Sequence, residues 1–118
     1  MSGTAREEGF EGGPHLHWRE TGRLSGHVVV DVAGELDIVP EVEHFKKFME
    51  QRYVDDGVNR ITLDLHGVRF LNLEGIAVLL ALRKESRGRG KKFDIAQPEH
   101  QVREKLRITG VLEVMEAG

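Results

Sequence analysis

The hydrophobic and polar positions change period several times along the chain, and each change marks an element. HLHWRET, His15 to Thr21, sets Leu16 and Trp18 against more polar neighbours. GRLSG then supplies turn residues, and HVVVDVAGELD, His27 to Asp37, is rich in β-branched side chains, so the pair reads as two strands of a hairpin. After Pro40, EVEHFKKFMEQRY places Val42, Phe45, Phe48 and Met49 at helical spacing, an amphipathic helix with proline where a first turn tolerates it. VDDGVN is a turn, and from Arg60 to Val68 the residues Ile61, Leu63 and Leu65 alternate with polar ones, as in a strand covered on one face. A second helix is predicted from Leu73, with Ile76, Ala77, Leu79 and Leu80 three and four apart, and it dissolves in RKESRGRGKK. KFDIAQP reads as a short strand, EHQVREKLRITG as a third helix closed by Gly110, and VLEVM as a last short strand or helix.

Strands alternating with helices after an initial hairpin predict an α/β fold with a mixed sheet and helices packed on it, because parallel neighbours need crossovers. At 118 residues the chain suits one domain with one core. Residues 1–14 hold four glycines and a proline, with Phe10 as the one sizeable apolar group, which reads as a loose tail before a domain over residues 15–118.

Composition narrows the function. No apolar run approaches the roughly 20 residues that cross a bilayer, and MSGTAREEGFEGG lacks the pattern of a secretory signal, so the expected location is the cytoplasm, without membrane insertion. With no cysteine, disulfides and thiolate chemistry are excluded. Seventeen basic and 20 acidic residues give a formal charge of -3, so no global basic field collects nucleic acid.

Candidate chemistry is sparse. His15 and His17 share a strand face but lack a third ligand nearby, and His27, His44, His66 and His100 are dispersed, so no metal is expected. RKESRGRGKK carries six basic residues against one acid and no aromatic for base stacking, which reads as a solvated helix end. The acids Asp31, Glu35, Asp37 and Asp64 lie on strands or strand ends without a placed nucleophile or base, and there is no phosphate loop, which argues against an enzyme and predicts no cofactor. Two loops stand out together. Asp37, in GELD before Ile38, and Asn72 to Gly75, inside FLNLEGIAVLL, both lie where a strand hands over to a helix, at one end of the sheet.

These stretches, with Ile61 to Leu65, Gly67 and Phe70, the helix start at Gly75 to Leu80, and KLRITGVLEVM, resemble the STAS family of bacterial anti-sigma factor antagonists. The resemblance implies four or five strands with three or four helices, in a monomer or weak homodimer. It implies a non-enzymatic module that binds a kinase-like anti-sigma factor and frees a sigma factor. The implied partner-binding residues are Asp37, Ile38, Asn72, Leu73, Glu74, Gly75 and Ile76. In the family a serine at the start of the second helix is phosphorylated by the bound kinase, which ends binding. Here that position is Leu73, which has no hydroxyl. Asn72 still suits a helix cap. Glu74 stands one residue late and carries one charge where phosphoserine carries nearly two. The resemblance leaves a second assignment open: a STAS subunit of a lipid-transport ATPase complex or a stress-signalling scaffold.

Overall fold

The computed structural model describes residues 9–37 and 39–116. Its elements are β1 (Glu11–Gly12), β2 (Leu16–Leu24), β3 (His27–Leu36), α1 (Val39–Tyr53), β4 (Arg60–Leu71), α2 (Leu73–Gly88), β5 (Lys92–Ala96), α3 (His100–Ile108) and α4 (Val111–Glu116). The strands form one mixed sheet in the order β1-β2-β3-β4-β5. The pairs β1–β2 and β2–β3 are antiparallel, and β3–β4 and β4–β5 are parallel. Five strands and four helices are the α/β arrangement expected from the alternation of patterns.

Along β3, buried Val28, Val30, Val32 and Leu36 alternate with half-buried Val29, Asp31, Ala33 and Glu35. One sheet face therefore carries the core and the other is partly open to water, as the period of two requires. On the covered face Ile61, Leu63 and Leu65 of β4 join Phe45 and Met49 of α1, Leu79 and Leu82 of α2, Leu106 of α3 and Leu112 of α4 in one cluster. Trp18 of β2 lies under α1, its ring centroid 5.3 Å from Phe45 and 6.0 Å from Phe48. Tyr53 ties α1 to α2 by donating its hydroxyl to the Leu82 carbonyl at 3.2 Å, and burial pushes its phenol pKa up.

Several boundaries differ from the pattern. β2 runs on through Gly22 to Leu24, because a bulge between Glu20 and Gly22 resets its register on β3. The turn shrinks to Ser25 and Gly26, both at positive φ, which suits the right-handed twist of a tight hairpin. The end of α2 agrees with the pattern, since it stops at Gly88, the first glycine of the basic run, with Leu82 and Ser86 buried and Arg89 bonding Glu85 at 2.9 Å. VLEVM is helical. Glu11 and Gly12, inside the segment read as a loose tail, pair with Trp18 and His17. Their neighbour Gly13 packs on Glu41, whose carboxylate accepts the His15 and Leu16 backbone N–H groups and contacts His15 Nδ1 at 3.0 Å. No helix among the described residues is long and apolar enough to cross a membrane.

Candidate functional site

The parallel register sets Leu36 of β3 beside Leu71 of β4, so the turn holding Asp37 and the start of α2 emerge side by side at one end of the sheet. Asn72 has extended backbone (φ -108, ψ -170), and its side-chain oxygen accepts the Gly75 N–H at 3.0 Å. This N-cap satisfies one donor of the first turn and contributes about 1 kcal/mol. Gly75 is the point of closest approach. A Cβ there would lie 2.4 Å from the Leu36 carbonyl oxygen and 2.5 Å from Leu71 Cδ1. The first turn of α2 thus rests directly on the end of β3, and the glycine is required by space rather than by an unusual φ.

On this seat α2 turns Leu73 outward, 78% exposed. Ala77, Leu80 and Ala81 are exposed on the same helix, at spacings of three and four that line one face. Beside it Phe70, at the end of β4, is 47% exposed. Lys105 of α3 reaches the site, donating to the Leu71 carbonyl at 2.8 Å with its ammonium 5.3 Å from the Phe70 ring centre. A shallow depression of about 150 Å³ opens between Phe70 and Val102. Arg69 pairs with Glu35 at 3.2 Å. The result is an apolar outer face of α2 that begins at exposed Leu73 with Glu74 beside it, and a half-exposed Phe70 that sits against Lys105 of α3 at the end of β4.

The structure sorts the residues singled out from sequence. Asp37, Asn72, Leu73, Glu74 and Gly75 cluster at the sheet end. Asp37 Oδ1 is buried without a hydrogen-bond partner among the described residues. Ile76 points inward at 7% exposure and belongs to the core cluster, so its side chain packs beneath the site instead of facing out. Ile38 lies outside the described residues. Glu74 is exposed in the first turn, where the helix dipole favours a negative charge.

Phe70 and Lys105 escape sequence reasoning. A signal for Phe70 exists: Phe70 and Leu71 are consecutive in a strand, so one of them must face away from the core. For the outer face of α2 the signal is a helix apolar nearly all round from Ile76 to Leu82.

A second cluster forms on the open sheet face. Asp31 and Asp64 are register partners, and with His66, which reads as a dispersed histidine in sequence, they present ligand atoms within 4.8 Å of one another. Those are ligand types a divalent cation accepts. His66 here serves Asp64, bonding its Oδ1 through Nδ1 at 2.9 Å and through the backbone N–H at 3.0 Å, which raises the imidazole pKa. Burial, and then the Asp64 charge, raise the Asp31 pKa, opposed by His66 and Arg19. The folded chain therefore holds the Asp31 proton more tightly than the unfolded chain does, and stability falls as pH rises from the ordinary 3.8 through the raised value. Asp31→Asn is expected to stabilise the domain by about 0.5 kcal/mol at pH 7. The gain should vanish below pH 3.8, as read by urea denaturation at the two pH values.

Comparison with known proteins agrees with this architecture. No curated protein matches the chain. The structure is similar to that of an anti-sigma factor antagonist from Mycobacterium paratuberculosis (21% identity, TM-score 0.73, 89% of this chain and 87% of that one). It is also similar to the anti-sigma factor antagonist SpoIIAA in its unphosphorylated form (19%, 0.69, 81% and 83%). The murine anion transporter Slc26a9 contains a similar region (24%, 0.67), matching 78% of this chain and 15% of the transporter. A family model for the STAS domain matches residues 19–117, and the chain belongs to the STAS domain family.

Proposed function

We propose that this STAS domain is a non-enzymatic, cytoplasmic regulatory module, an anti-sigma factor antagonist. It engages a kinase-like anti-sigma factor through the start and outer face of α2 and thereby releases a sigma factor. The observation that carries this reading is Leu73, 78% exposed directly after the Asn72 cap and continued by an apolar helix face. An apolar patch with a polar rim is what a protein partner covers. The likeness to two antagonists supports the partner class.

Leu73 also sets the regulation. A leucine accepts no phosphate, so binding is governed by abundance or by another input, and not by modification at the family's serine position. The test is a calorimetric titration of the purified chain into the source organism's kinase-like anti-sigma factor holding its sigma factor. A stoichiometric complex with sigma factor released is expected, and absence of binding overturns the reading. The likeness to a region of an anion transporter favours a second reading, a STAS domain serving a membrane transporter. Affinity purification that recovers a transport protein and no kinase-like protein selects it.

A further inference from the structure

An open groove lies away from the α2 start, along β5, and it takes up the basic run that the site at the sheet end leaves unused. β5 is the last strand of the sheet, paired on one side with β4. The Lys92 N–H donates to the Asn59 carbonyl at 3.0 Å, on the β4 side. Backbone groups alternate sides along a strand, so those of Phe93 and Ile95 face the open edge. No hydrogen bond to either is made there by the described residues outside the sheet ladder. Along this edge is an open groove of about 740 Å³, lined also by Arg103 of α3 and by Leu112 and Met115 of α4.

The groove is positive in a chain whose net charge is -3. Arg60, Arg87, Lys92 and Arg103 border it, and Arg87, Lys92 and Arg103 are exposed. Lys91 is turned inward to the Asp55 and Val58 carbonyls. Among the described lining residues the one acid is Asp94, which accepts from Arg60 at 2.6 Å and from the Thr62 hydroxyl at 2.6 Å. Phe93, Leu112 and Met115 supply an apolar floor.

An unpaired strand edge, an apolar floor and cationic walls are the three requirements for adding an extended acidic strand. We propose that this groove binds an acidic peptide segment of another protein as a sixth strand beside β5, with one set of alternate side chains, carboxylates, reaching Lys92 on the open face and the other, apolar, set beside Phe93 on the covered face, while Arg103 at the border adds to the attraction for the acidic chain. The site is independent of the α2 surface.

The test uses a fluorescein-labelled peptide of alternating glutamate and valine, read by anisotropy and by amide shifts in the 15N-labelled chain. Binding with shifts at Phe93 and Ile95 is expected. Backbone N-methylation at alternate peptide residues should weaken it at least tenfold, as should K92E/R103E, two exposed changes whose fold is checked by circular dichroism. A lysine–valine peptide should not bind. The proposal fails if the glutamate–valine peptide does not bind or if the N-methylated peptide binds equally. It also fails if the chain binds phosphatidylserine vesicles or single-stranded polynucleotide through this groove and ignores the peptide.

Discussion

Gly75→Ala is expected to destabilise the domain by about 2 to 3 kcal/mol, the range of an overpacked core position. The sign is the informative part. At an ordinary helical position alanine is better than glycine by about 1 kcal/mol, and with Asn72 still capping the helix nothing local opposes the change. The opposition is tertiary: the new methyl would sit 2.4 Å from the Leu36 carbonyl oxygen and 2.5 Å from Leu71 Cδ1. Backbone atoms at a strand end cannot yield as a flexible side chain can, so α2 must lift from β3. Urea denaturation measures the loss. Amide shifts confined to Asp37, Asn72 and the first turn of α2 would locate it, and a stabilised variant would show that the close approach is absent in solution.

Leu73→Asp should do the reverse, leaving stability alone and removing binding. With 78% of Leu73 exposed, little buried area is lost, and a carboxylate in the first helical turn gains a few tenths of a kcal/mol from the dipole. In a complex that covers this residue, the same carboxylate is desolvated against an apolar patch. The expected cost is about 3 kcal/mol, a loss of roughly 100-fold in affinity for the anti-sigma factor. Denaturation and titration of one preparation separate the two effects. If affinity is unchanged while stability is intact, the partner does not cover Leu73.

Much of the fold was legible because one force writes both pattern and structure. Alternating burial in β3 and β4 and the three-and-four spacing in α1 and α2 follow from one-sided exclusion of water. What escaped depends on contacts between segments distant in sequence. The bulge after Glu20 that extends β2 has no mark in GRLSG. Gly75 looks like a helix-weakening residue until Leu36 is seen beneath it. Asp31, Asp64 and His66 meet only once the β3–β4 register is known, and RKESRGRGKK becomes one wall of a groove only when β5 is seen to be the sheet edge. At the α2 start, sequence placed the turn and cap at Asn72. The resemblance assigned both Leu73 and Ile76 to the partner surface, and only the packing of α2 on the sheet separates outward Leu73 from inward Ile76.

A binding surface without its covalent switch can be checked by holding the complex with the kinase-like anti-sigma factor in Mg-ATP and following affinity and intact mass together. The complex is expected to persist with no phosphate added at residues 72–75, whereas the N72D/L73S variant gains phosphate and dissociates. Phosphate appearing on the unaltered chain together with loss of the complex would contradict it.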